Sequence, residues 1–195
     1  MTRLPLLFAF ALTACSAVGQ ASAPLDAFTL QPLPLVQGQT GSRHLVVELP
    51  TASGALATDR ILIKPNPLQA QYLPKGRWVD PVPELMQTVL VTSLQNSGRF
   101  RLVGRDGAGM TPDFVALVEV NDFQADAPPG SAPIVHVAMT VSLLQVGDHR
   151  LLATRRFSAG AQAAGTEALT LVTAFDAATR RVMADAVDWI DKSAR

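Results

Sequence analysis

Residues 134–146 read IVHVAMTVSLLQV, and their period is two. Val135, Val137, Met139, Val141 and Leu143 fall on one side and are all apolar. Ile134, His136, Ala138, Thr140 and Ser142 fall on the other and are mixed. One apolar and one mixed face mark a strand of an antiparallel sheet with a single covered side. The stretch just before it behaves the same way. Phe114, Ala116, Val118 and Val120 share one face of 114–123, and Val115, Leu117, Glu119 and Asn121 share the other. Residues 126–133 (DAPPGSAP) join the two strands. After 146, Gly147-Asp148 predicts a two-residue hairpin turn with glycine first, and residues 149–157 return as a third strand.

Further outward, the period changes to that of a helix. From Thr166 on, Ala168, Leu171, Val172, Phe175, Ala178, Val182, Ala186, Trp189 and Ile190 keep helical spacing. Asp176, Arg180, Arg181, Asp185, Asp188 and Asp191 take the opposite side, so a long amphipathic helix covers the sheet. A second helix begins at Pro83-Glu84-Leu85, with proline in its first turn, where a missing N–H costs nothing. Leu85, Met86, Val89, Leu90, Ser93 and Leu94 form its stripe, and Ser97-Gly98 closes it. Strands are expected at 25–30, 44–49, 59–64 and 100–103, and a short edge strand at 69–73 before Pro74. Pro65-Asn66-Pro67 reads as a break, and 51–57 and 104–112 read as loops. The fold class expected is an α/β sandwich: a mixed, largely antiparallel sheet packed against two main helices.

The N-terminus is of another kind. Arg3 precedes the uncharged run 4–12 (LPLLFAFAL), then small residues follow. This is a secretory signal, and it is too short for a spanning helix of about 20 apolar residues. Leu12-Thr13-Ala14-Cys15 resembles the bacterial lipobox, in which the thiol takes diacylglycerol and the chain is cut before the cysteine. A thioether needs sulfur, and Cys15 is the only cysteine in 195 residues, so no disulfide framework competes for it. Ala21-Ser22-Ala23 offers an ordinary signal-peptidase site instead, with Pro24 awkwardly after the cut. On the lipobox reading, residues 1–14 are a lipoprotein signal peptide, 15–24 a lipidated tether, and 25–195 a single domain. Ser16 resembles the sorting pattern for the outer membrane, since aspartate there retains lipoproteins at the inner membrane.

Composition narrows the function classes. There are 16 basic and 16 acidic residues, so the formal net charge is zero. Nucleic acid would want a basic stripe, and anionic lipid heads a polybasic segment; neither is present. No G-x-S-x-G elbow, H-E-x-x-H or Walker loop occurs. The glycine-rich 104–109 (GRDGAG) lacks the Lys-Ser/Thr of a phosphate loop. His44, His136 and His149 have no ligand spacing, so no metal and no cofactor are expected. Asp59-Arg60 reads as an ion pair or strand start rather than an acid–base site. The expectation is a protein that is not an enzyme.

Several strings together carry a resemblance: Leu56-Ala57-Thr58-Asp59-Arg60-Ile61, then Tyr72, then Arg77-Trp78-Val79-Asp80-Pro81 directly before a helix, and Asp188-Trp189-Ile190 near the end. With the lipobox in front, the chain resembles the auxiliary lipoproteins of MCE-type ABC transporters, whose best-known member serves the paraquat-inducible intermembrane transport system. The long loop 31–43 departs from that pattern and leaves the alignment of 28–30 less secure. The resemblance implies an α/β sandwich on the periplasmic face of the outer membrane, held by lipid. It implies a periplasmic MCE-type partner that carries lipid between membranes, and ring-shaped homo-oligomers that match it. Arg77-Trp78 reads first as a packing tryptophan beside an arginine, since Trp is large and mostly buried; the functional reading makes Arg77 and Trp78 the candidate partner interface, because Trp and Arg are enriched at hot spots. Two other classes stay open. One is a structural envelope lipoprotein supporting cell-wall or complex assembly. The other is a lipid-acting hydrolase, for which no serine sits in a suitable motif.

Overall fold

The computed structural model describes residues 25–37, 41–106, 109 and 111–195. The signal, the tether and Cys15 lie outside the described residues. The chain forms an α/β sandwich: one mixed sheet with two helices on it. The strands are β1 (Asp26–Phe28), β2 (His44–Val47), β3 (Thr51–Ala52), β4 (Arg60–Asn66), β5 (Gln69–Trp78), β6 (Leu102–Arg105), β7 (Phe114–Asp126), β8 (Ile134–Gln145) and β9 (Arg150–Gln162). The helices are α1 (Val82–Asn96), between β5 and β6, and α2 (Ala168–Ser193), at the end.

The long strand β7 organises the sheet. Along one edge it pairs antiparallel with β8, from Phe114 opposite Gln145 to Asp126 opposite Ile134. β8 in turn pairs antiparallel with β9, and these two ladders carry most of the pairing. The other edge of β7 is shared by three short parallel partners: β2 beside 114–116, β3 beside 119–120 and β4 beside 124–126. Pro50 separates β2 from β3, as a residue without an N–H must. The sheet therefore forks. Beyond β2 lies β6, and beyond β4 lie β5 and then β1.

The period-two pattern of β7 is interrupted once. Phe114, Ala116, Val118 and Val120 are buried, as their spacing predicts. The register then shifts between Val120 and Asp122, and this bulge turns Phe123 and Ala125 inward. One extra residue reverses the facing of all that follow it. Inward residues of β7 and β8 join a single core with the stripes of α1 and α2. Leu117, Glu119 and the Ser142–Thr154 hydroxyl pair (2.8 Å) stand on the uncovered face.

Several expected boundaries move. β5 does not stop before Pro74 but runs on to Trp78. β4 continues through Pro65 to Asn66. Both tolerate proline because their mutual register is irregular, with shifts between Arg60 and Leu62 and between Ile63 and Asn66. The 51–57 loop contributes the two-residue β3, and the strand expected at 100–103 starts at Leu102, leaving Phe100 in the core. The β8–β9 turn is not of the glycine-first kind. It spans 146–149, and the left-handed residue is His149, at φ 49°, not Gly147. His149 N–H donates to the Val146 carbonyl at 3.2 Å.

The end of α1 fixes the loop before β2. Gly98 takes φ 65° just past the helix, the left-handed geometry of a glycine stop. Its carbonyl accepts from Gly41 N–H at 2.9 Å. A Cβ on Gly41 would overlap the Arg99 backbone carbonyl. Gly41→Ala is therefore expected to destabilise the fold by about 1–3 kcal/mol, read as a lower midpoint in urea unfolding at unchanged slope.

Candidate functional site

Of the strings that carried the resemblance, 56–61, Tyr72 and 77–81 converge in space, while Asp188-Trp189-Ile190 belongs to α2, where Trp189 packs on Phe157. Trp78 N–H donates to the Asp59 carbonyl at 2.6 Å, and Val82 N–H to the Thr58 carbonyl at 3.1 Å. Val79 N–H donates to the Phe28 carbonyl at 2.9 Å, which ties β1 to the same joint. Tyr72 Oη donates to the Ala55 carbonyl at 3.2 Å, and the Arg60 guanidinium lies 4.7 Å from the Tyr72 ring centroid. The start of β4, the end of β5 and the start of α1 are thus held as one knot, with Leu56, Ile61, Trp78 and Val82 buried inside.

Trp78 is a core residue. It is 0% exposed, and its ring sits 5.3 Å from Phe123 and 5.2 Å from Phe175, which are themselves 4.9 Å apart. The hot-spot reading is corrected for Trp78: the bulge in β7 brings Phe123 beneath it, so no ring surface is left for a partner. Arg77, the next residue along the strand, points the other way. Its Nη1 lies 3.2 Å from Asp59 Oδ2, and both side chains are partly exposed. With Val79, also partly exposed, Arg77 forms the outer skin of the knot. Of the two readings of Asp59-Arg60, the exposed strand start holds, since β4 begins at the exposed Arg60, while the ion pair of Asp59 is made with Arg77.

A second charged group closes the opposite end of the sheet. Asp191, placed on the outer side of α2 by its spacing, is buried instead. It meets Arg43 at 3.4 Å, Arg195 at 3.2 Å and Arg99 at 3.9 Å. Arg43 and Arg99 come from the loops flanking β2 and α1, so the cluster staples the C-terminus to the front of the domain. Arg99 also meets Asp188 at 3.1 Å, and Lys192 reaches Asp188 at 2.6 Å. Hydrogen bonds from Lys192 and then Arg99 hold the Asp188 carboxyl below its ordinary value of 3.8. A depressed carboxylate contributes stability that is present above its unfolded value and lost as pH falls through the folded one. Wild-type protein is therefore expected to lose more melting temperature than Asp188→Asn between about pH 5 and pH 3, as read by circular dichroism.

Among the described residues, no three His, Cys, Asp or Glu side chains converge on one point. His136 Nε2 lies 3.4 Å from Asp126 Oδ2, and His44 is held through its N–H by Asp113 Oδ2 at 2.7 Å. A groove of about 590 Å³ runs between β9 and α2, floored by Gly160, Ala161, Ala174 and Ala177. Arg181 Nη1 crosses it to the Gly160 carbonyl at 2.9 Å. No described helix is long and apolar enough to cross a membrane.

The comparisons with known proteins bear on this arrangement. The uncharacterized protein bll6063 of Bradyrhizobium diazoefficiens is 27% identical over 154 residues, 77% of this chain and 40% of that protein. The chain thus spans about two-fifths of the length of that relative. The crystal structure of protein XCC0632 from Xanthomonas campestris superposes with a TM-score of 0.78 at 24% identity, covering 88% of this chain and 96% of that one. A crystal structure of another uncharacterized protein gives 0.64 at 17% identity, covering 84% and 99%. These two likenesses show the fold. The family model described as "ABC-type transport auxiliary lipoprotein component" matches residues 28–187, which take in the knot, the forked sheet and most of α2. The chain belongs to the ABC-type transport auxiliary lipoprotein family.

Proposed function

We propose that the chain is an outer-membrane lipoprotein that docks the periplasmic, lipid-carrying MCE-type component of an ABC transporter. The observation that carries this reading is the family match over 28–187 behind a lipobox-like Leu12-Thr13-Ala14-Cys15. Cys15 is the lipidated mature N-terminus, and Ser16 directs the protein to the outer membrane. The domain acts by binding and positioning rather than by catalysis. It meets its partner as a homo-oligomeric ring, with Arg77 and Val79 on the contacting side.

The reading is tested by genetic order. Loss of this chain and loss of the transporter permease should give the same sensitivity to detergent, and the double loss should be no worse than either. Additive sensitivity would contradict it and favour a structural role in the cell wall.

A further inference from the structure

One end of the sheet carries an apolar tip. β4 and β5 meet in the turn Asn66–Gln69, and Leu68 at its apex is 99% exposed. The turn satisfies itself: Leu68 N–H donates to Asn66 Oδ1 at 3.1 Å, and Asn66 Nδ2 donates to Gln69 Oε1 at 2.9 Å. Pro65 and Pro67 have no N–H to desolvate. From 65 to 74 (PNPLQAQYLP) there is no charged residue. Ile134, 45% exposed, stands at the same end, since it pairs with Asp126, which pairs with Lys64. Lys64 and Asp126 flank the base of this turn, and Asp126 pairs with His136 at 3.4 Å, but the projecting segment itself bonds its turn within itself and carries no charge, which suits the headgroup–acyl boundary, where a lone charge would be costly and an apolar side chain is favoured.

The chain's own direction says which surface lies opposite. β1 is parallel to β5, with Asp26 beside Gly76 and Phe28 beside Trp78. The N-terminal side of β1 therefore faces the end of the sheet that holds Leu68. Arg60 is level with Arg77 and Asn66 with Gln69, so β4 carries the tip about 20 Å beyond the β1–β5 pairing. Nine residues lie between Cys15 and Leu25, and the ten Cα-to-Cα steps reach at most about 35 Å. The chain leaves β1 toward the end of the sheet that holds the tip, so a bilayer that holds Cys15 is within reach of the tip.

We propose that the β4–β5 tip, led by Leu68, is a second membrane contact that seats the domain on the bilayer holding its lipid anchor. This rests on the lipid-anchor reading of Cys15. A single leucine binds a bilayer weakly, but an anchored chain presents it at high effective concentration. The contact then fixes which face of the domain is turned toward the periplasm.

The lone natural cysteine makes the test simple, because lipid occupies it. Full-length lipidated Leu68→Cys is labelled with a nitrobenzoxadiazole thiol probe and reconstituted into phosphatidylethanolamine–phosphatidylglycerol vesicles. Leu151→Cys, exposed at the start of β9 beside the β8–β9 turn at the other end of the sheet, is the control. Flotation with the vesicles reports the anchor. Quenching by headgroup-proximal spin-labelled lipid reports the tip. The expected result is that both proteins float, the label at 68 is blue-shifted and loses its emission to the quencher, and the label at 151 does neither. Flotation with equal behaviour at 68 and 151 overturns the seating and leaves the anchor standing. No flotation overturns both.

Discussion

Trp78→Ala is expected to cost about 3–5 kcal/mol, the range for removing a large aromatic from a packed core. The residue is fully buried, and its ring closes a three-membered cluster with Phe123 and Phe175. Those three come from β5, the bulged half of β7 and α2, so the cavity cannot be relieved by moving one element. Against a total stability of about 5–15 kcal/mol, the loss is large. For a domain of this size it corresponds to a fall in Tm of about 6–20 °C. Trp78→Phe should cost less, since Nε1 makes no hydrogen bond among the described residues and an aromatic face is kept. Thermal unfolding followed by circular dichroism measures both. A Trp78→Ala variant as stable as wild type would show that the aromatic cluster does not hold β5 to the helical layer.

Cys15→Ala is expected to abolish membrane retention. Acyl chains contribute roughly 0.8 kcal/mol per buried methylene, so one chain holds marginally and several hold durably. Without the thiol no thioether forms, and no described helix is long and apolar enough to cross a bilayer. Wild-type protein should incorporate alkyne-tagged palmitate and sediment with membranes. The variant should lose the label and leave the membrane fraction wherever its leader is removed at Ala21-Ser22-Ala23. If wild type itself is unlabelled and its mature mass begins at Pro24, the ordinary signal-peptidase route is the true one and the lipid anchor is wrong.

What the sequence disclosed, and what it hid, follows from how local each signal is. β8 and the first half of β7 each have one covered and one open face, so a period of two is written in their side chains. α2 announces itself for the same reason at period 3.6. The bulge at Asn121 carries no such mark, and the inward turn of Phe123 is decided by its pairing with β8. Likewise the full length of β5 depends on β4 and β1 rather than on Pro74 or the glutamines around it. Asp191 is the clearest case. Its spacing put it among the solvated acids of α2, yet Arg43 and Arg99, 148 and 92 positions away in the chain, surround it. At the site, the strings 56–61, Tyr72 and 77–81 turned out to form one knot, without Asp188-Trp189-Ile190, which packs elsewhere on α2. Their chemistry proved to be mostly packing: Trp78 faces inward, while Arg60, Val79 and Asp80 are exposed and Arg77 is partly so.

The most direct test of the central claim is photocrosslinking in living cells. A benzophenone amino acid is placed at Val79, and in a second strain at Arg77, of the otherwise intact protein. The account predicts a crosslinked product that contains an MCE-domain protein, identified by mass spectrometry from the outer-membrane fraction. Crosslinks that lead only to cell-wall assembly proteins would contradict it.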